Sequence, residues 1–182
     1  MAEKKNLTFD LSGKVAVVTG GGGVLCSGFS KTLAAAGAKV AVCDLRREAA
    51  QAVAEEIVAA GGVAIAVEMN VLDAGSVRAA RDTIVSELGD VDILLNGAGG
   101  NNPKGSTTKD NLTPEDMALL EENGSIEGVK TFFDLDPDGI SFVFNLNFLG
   151  TLIPTQIFAR DMAKRGGNII NVSSMNSFRP LT

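Results

Sequence analysis

Residues 14–28, KVAVVTGGGGVLCSG, set an apolar, β-branched run directly before four consecutive glycines. The pattern predicts a short buried strand over 14–19 and a helix over 25–36. Without Cβ atoms, the backbone between them can turn tightly and come close to a bulky anion. The N-terminus of the following helix aims free N–H groups and a partial positive charge at such an anion. A strand, a glycine turn and a helix in this order fit the pyrophosphate site of a dinucleotide. They also fit a tight βα turn that holds no ligand.

The alternation continues. Residues 40–44 (VAVCD) form a second apolar run, and 46–60 have helical spacing before the stop at Gly61 and Gly62. Residues 63–69 predict a third strand, 74–88 a third helix, and 91–96 (VDILLN) a fourth strand that runs into Gly97, Ala98, Gly99 and Gly100. Strands alternating with helices of this length predict a parallel sheet built by right-handed crossovers. The expected fold class is α/β, a Rossmann-type doubly wound parallel sheet. Its strand order would be 3-2-1-4-5, with the ligand crevice between strands 1 and 4.

Residues 101–135 break the rhythm. NNPKGSTTKDN is polar and rich in turn formers, and Thr113-Pro114-Glu115-Asp116 has the marks of a helix start that should run to about Asn123 and Gly124. A long polar insertion after a parallel strand fits a lid or substrate loop, and equally a surface excursion. In 140–148 (ISFVFNLNF) the apolar residues alternate as in a strand. The apolar character continues to Met162, however, which is too long for one strand. We therefore expect one long buried helix over 139–164, bent at Pro154, and a fifth strand over 168–173.

Composition narrows the function. A net charge of −6 argues against nucleic acid as a partner. No uninterrupted apolar run reaches the ~18 residues that span a bilayer, so no membrane association is expected. Cys26 and Cys43 have no metal-ligand spacing and no disulfide framework; free thiols in a cytoplasmic setting are expected, and no metal. The chain has no His, which excludes a Ser-His-Asp triad, and no Tyr.

Several motifs together resemble the short-chain dehydrogenase/reductase family. Residues 19–26, TGGGGVLC, stand where that family has TGxxxGxG, with Val24 and Cys26 in place of the second and third glycines. Asn96-Gly97-Ala98-Gly99 is similar to its NNAG motif, with Gly97 for the second Asn. Asn147 in NFLG resembles the catalytic Asn, and Asn171-Val172-Ser173-Ser174 resembles the strand end whose catalytic Ser would be Ser174. The TGGGGVL turn, GAGGNNP, FFDLD, NFLGTLIPTQ and SSMNSFRPLT look most like the branch that interconverts D-mannonate and D-fructuronate; there a His commonly stands where this chain has Asn102.

The resemblance implies an NAD-dependent oxidoreductase acting on a sugar acid, homo-oligomeric when intact. Cofactor contacts would come from Gly20, Gly22, Gly23, Val24, Leu25, Asp44, Asn70, Val71, Asn96, Ala98 and Gly99. Asp44 ends the second strand, 24 residues after Gly20, where a carboxylate can accept hydrogen bonds from both ribose hydroxyls and repel a 2′-phosphate. This favours NAD over NADP, with Arg46 and Arg47 facing solvent. The small residues at 97–100 leave room for the cofactor or act as a hinge. Cys26 is expected to be a packed residue rather than a redox centre. Substrate contacts would fall to Asn101, Asn102, Lys104, Asn176 and Arg179.

The family's Tyr-xxx-Lys pair is absent. We therefore expect residues 1–182 to be one C-terminally incomplete NAD-binding domain with a lid-like insertion at about 101–135. The last strands of the sheet would be missing, and the chain would be inactive alone and prone to self-association. A non-catalytic NAD-binding module is the alternative, and so is a reductase acting on another polyol, sugar acid or 3-oxoacyl substrate.

Overall fold

The computed structural model describes residues 9–174. The chain forms two compact units, one of residues 9–98 and 149–172, the other of residues 99–148 with 173–174.

The first unit is a five-stranded parallel sheet. Its strands are β1 (Val15–Thr19), β2 (Lys39–Asp44), β3 (Val63–Glu68), β4 (Ile93–Asn96) and β5 (Asn168–Asn171), in the order β3-β2-β1-β4-β5. Val17 pairs with Ala41 on one side and with Leu94 on the other, so β1 is central. The helices are α1 (Val24–Ala35), α2 (Arg47–Ala59), α3 (Ala74–Glu87) and α6 (Gly150–Arg165). The period of two sorts the strand residues. Ala16, Val18, Val40, Val42, Ile93 and Leu95 share a core with Cys26 and Ala34 of α1 and with Ala50, Val53, Ala54 and Ile57 of α2. On the other face α3 packs against α6 and β3, and α6 against β4. Gly150, Pro154, Phe158 and Met162, spaced by four, form the buried stripe of α6.

The expected strand order stands. Several details differ from expectation. β4 begins at Ile93 rather than 91. β5 ends at Asn171 rather than 173, although Val172 N still donates to Asn96 O at 2.9 Å. The helix expected over 139–164 runs from Pro137 to Arg165, and it is not buried: only 17% of its most apolar window is covered. One stripe satisfies the sheet, while Phe142, Phe144, Phe148 and Leu152 stay exposed. Its irregularity is a π turn over Asn145–Leu149, between α5 (Pro137–Phe144) and α6. By length and composition alone this helix could cross a membrane, which the count of uninterrupted apolar residues did not register. The core helix of a soluble protein passes the same test. Ile169 and Ile170 on β5 are likewise exposed.

The second unit contains α4 (Pro114–Asn123), α5 and two short 3₁₀ turns. As the sequence predicts, Thr113 caps α4 in a reciprocal box with Asp116, and Gly124 ends it at φ +70°. Lys109 donates to Asp116 at 2.6 Å, and that bond holds the Asp116 carboxyl below its usual range. Lys130 Nζ donates to Pro103 O at 2.7 Å, Thr108 N donates to Lys130 O at 3.0 Å, and Lys130 N donates to Thr108 Oγ1 at 2.8 Å. Gly105 packs directly on the Gly139 backbone, so this long segment is an organised unit.

At the opposite end of the sheet from the glycine turn, Asp92 accepts from Val15 N at 3.0 Å and from Lys14 Nζ at 3.2 Å. Burial raises its pKa, but these two bonds together with the Lys14 and Arg165 charges outweigh burial and leave it below the ordinary value. A carboxylate depressed in the fold stabilises above its unfolded pKa of about 4, and that contribution disappears as pH falls through the folded value. Asp92→Asn should therefore cost about 1–2 kcal/mol at neutral pH. The difference from the parent should shrink in thermal melts taken at progressively lower pH below ~4.

Candidate functional site

Three segments converge at the carboxyl ends of β1, β2 and β4. Gly20 has φ +65°, and a Cβ there would lie 2.9 Å from Ala98 Cα, so the exits of β1 and β4 touch. Thr19, fully buried, fastens them further: its Oγ1 accepts from Gly97 N and Ala98 N, each at 3.0 Å. Thr19 opens the TGGGGVLC motif but is not among the expected cofactor contacts. The available signal was a lone hydroxyl closing an otherwise apolar strand.

The glycine turn is held from several sides. Gly21 N donates to Cys43 O at 2.8 Å and Gly23 N to Gly20 O at 2.9 Å. Gly22 N donates to Asp44 Oδ2 at 3.0 Å, while Arg46 N donates to Oδ1 at 3.0 Å. The Asp44 carboxylate thus braces the turn from the end of β2. Each of its oxygens keeps a further lone pair for a ligand hydroxyl. Arg46 and Arg47 are exposed, as expected. Helix α1 starts at Val24 with no side-chain cap and no acid in its first turn. Its leading N–H groups and dipole are therefore directed toward whatever lies over the turn. Val24 is 98% exposed and Leu25 57%, so both project from the turn rather than into the core.

Asn70 and Val71 follow β3. The Asn70 side chain accepts from Leu72 N at 3.0 Å, and Val71 is buried. Asn96 is almost fully buried; its Nδ2 donates to Thr155 Oγ1 and to Asn171 Oδ1, both at 2.9 Å, which ties β4 to α6 and β5. Its Oδ1 has no partner. Asn96 therefore serves the scaffold, and Thr155 and Asn171 are partners that sequence spacing did not reveal.

In the second unit, Asn147 sits in the π turn. Its Oδ1 accepts from Gly100 N at 3.1 Å, and its Nδ2 donates to the carbonyls of Gly100 and Val143, each at 2.8 Å. Gly99 leaves room for this clamp, since a Cβ there would come within 2.6 Å of Asn147 Oδ1. Such one-turn π irregularities interrupt the regular bonding ladder and recur at functional sites. Asn101 Oδ1 accepts from Asn102 N, and Asn102 Oδ1 accepts from Lys104 N, so both amides shape the local turn. Lys104 lies 3.7 Å from Asp136. Ser173 and Ser174 follow β5 and are exposed; Asn176 and Arg179 lie outside the described residues.

Neither thiol is activated. Burial and the Asp44 charge raise both: Cys43 is pushed up to about 12, and Cys26 also lies above its ordinary value. No cluster able to hold a metal ion occurs among the described residues. A surface groove of about 580 Å³ beside α3 and α6 is lined by Arg78, Arg81, Gln156, Ile157 and Arg160. It lies away from the glycine turn, and its Arg81 is already bonded to Asp161 at 2.7 Å.

Residues 14–118 and 108–182 match the pattern of the short chain dehydrogenase family. An uncharacterized oxidoreductase of Haemophilus influenzae is 51% identical over 95% of this chain and 58% of its own length. The uncharacterized oxidoreductase UxuB of Bacillus subtilis is 44% identical over 95% of this chain and 59% of its own. A Haemophilus influenzae crystal structure, provisionally named a D-mannonate oxidoreductase and containing bound NAD, is 49% identical. It superposes with a TM-score of 0.86 over 96% of this chain and 59% of that one. This chain thus spans just under three-fifths of the length of these relatives. With the strand order, the glycine turn and the Thr19 tie in place, the chain belongs to the short-chain dehydrogenase family.

Proposed function

We propose that this chain forms the NAD-binding part of a cytoplasmic oxidoreductase that interconverts a sugar acid alcohol and its ketone, D-mannonate and D-fructuronate being the favoured pair. The observation that carries the reading is the Asp44 carboxylate, braced against Gly22 at the end of β2 beside the uncapped start of α1. The relative with bound NAD supports the same cofactor. Bound NAD would supply a two-electron acceptor at its nicotinamide ring.

The residues present fit the group. The glycine turn and the first turn of α1 would receive the pyrophosphate through N–H groups. Asp44 would accept from the adenine-side ribose hydroxyls, and Asn70 and Val71 would border the adenine. Ala98 and Gly99 would leave space for the other ribose. Ser174 would hold the reacting oxygen by a hydrogen bond, and Asn147 would order water for proton transfer. Asn101, Asn102, Lys104, Asn176 and Arg179 are the proposed sugar-acid contacts, with Arg179 or Lys104 for the carboxylate. In the assembled enzyme we propose a homo-oligomer.

Asp44 provides the test. A carboxylate facing a 2′-phosphate is repelled by several kcal/mol before solvent screening, at an effective dielectric of about 20. NADH should bind at least about tenfold more tightly than NADPH in fluorescence titrations. Asp44→Asn keeps the shape and one acceptor but removes the charge, so it should narrow the gap to about threefold or less. Equal affinity of the parent chain for both cofactors would remove Asp44 as the discriminator. The alternative is a binding module without catalysis. It is distinguished by whether any longer form containing this chain turns over the sugar acid.

A further inference from the structure

The two departures from the family pattern that face inward meet at one point. Cys26 stands where the family's turn has its third glycine, and Gly97 stands where the NNAG motif has its second Asn. In the fold, a Cβ built on Gly97 would overlap the Cys26 sulfur. Its next neighbours are Thr19 O at 3.0 Å and Leu95 Cδ2 at 3.3 Å, both close without overlapping. Cys26 is only 5% exposed, in the first turn of α1, and belongs to the core shared with Leu95. The thiol therefore fills the space that a side chain at position 97 would need.

We propose that Cys26 and Gly97 form one steric unit. They exchange side-chain volume between α1 and the exit of β4, and together they set the floor under the nicotinamide half of the dinucleotide. This rests on the NAD-binding reading above. The third glycine of a dinucleotide turn ordinarily allows helix and strand to pack closely. Here a sulfur replaces that hydrogen, and the clearance is recovered by removing the side chain opposite. The neighbouring bonds make the position consequential: Gly97 N and Ala98 N share Thr19 Oγ1, so displacement of residue 97 by the thiol moves the whole β4 exit. Asp44, and with it the adenine half, lies on β2, with β1 between it and β4. A disturbance at Gly97 should therefore be felt by one half of the dinucleotide and not by the other.

A double-mutant cycle tests this, with NADH and 5′-ADP as separate probes. Gly97→Ala should weaken NADH binding about tenfold or more and leave 5′-ADP binding within about twofold. Cys26→Gly should change NADH affinity by less than about threefold. The double variant should recover NADH affinity to within about fivefold of the parent, since the remaining contacts need shifts of only a few tenths of an ångström. Additive losses in the double variant, or equal losses for both probes, would overturn the proposal. If Gly97→Ala alone does not fold, recovery of a cooperative melt in the double variant supports the pair, and a double variant that stays unfolded overturns it. Failure of the parent chain to bind NADH would instead sink the NAD reading, which keeps the two failures distinct.

Discussion

The 182-residue chain should bind NADH and leave it unoxidised in the presence of D-fructuronate. Reducing the ketone requires a proton at the newly formed alkoxide, from a donor whose pKa lies near the working pH. The chain contains neither His nor Tyr. Cys43 is fully buried with its thiol pushed up to about 12, and Cys26 is buried and shifted in the same direction. Asp92, Asp116 and Asp134 are held below their ordinary values by hydrogen bonds and nearby cations, so they are deprotonated at neutral pH and poor acids. Serine and asparagine can orient the reacting oxygen but do not donate readily at neutral pH. On the function proposed above, this chain would hold the cofactor and orient the ketone, and the proton would have to come from elsewhere. The expected result is a fluorescence change on NADH addition and a flat absorbance trace when the sugar acid follows. Sugar-acid-dependent consumption of NADH would mean that a donor lies among these residues; Ser174→Ala would be the first variant to examine.

The sheet and its order were legible because each βα unit carries independent signals that agree. Val15, Val17 and Leu94 belong to continuous apolar runs suited to strands covered on both faces. Gly61 and Gly89 mark helix ends, and Thr113 with Pro114 marks a start. The glycine turn and Asp44 were legible for the same reason, since spacing along one βα unit fixes both. What the sequence did not reveal depends on contacts between distant segments. Thr19 meets Gly97, Asn96 meets Thr155 and Asn171, and Cys26 meets Gly97 only after three or four elements have packed. The helix expected over 139–164 is present at Pro137–Arg165, but its expected burial fails for a different physical reason. Its apolar residues run nearly all round, which indicates burial on every side. Within α6 the Gly150, Pro154, Phe158, Met162 stripe is what the sheet unit buries.

Gly20→Ala should damage both the fold and the turn, and Gly61→Ala separates its causes. Both glycines have positive φ, +65° and +87°, so each alanine carries the left-handed backbone penalty of about 1–2 kcal/mol. At Gly61 nothing lies within 4 Å of the added carbon, so that penalty is the whole expected effect. At Gly20 the methyl would also meet Ala98 Cα at 2.9 Å, Ala98 N at 3.0 Å and Gly97 O at 3.1 Å. All three are backbone atoms, and Ala98 N and Gly97 N are already pinned to Thr19. No rotamer change can relieve the contact, so the β4 exit must move; overpacking of this kind costs about 1–3 kcal/mol more. Gly20→Ala should therefore melt well below Gly61→Ala and lose NADH affinity, while Gly61→Ala, at the far end of α2, binds as the parent does. Matching melting temperatures for the two variants, with NADH binding intact in both, would show that the β1 and β4 exits do not meet as tightly as the fold requires. The crevice built on their contact would then lose its foundation.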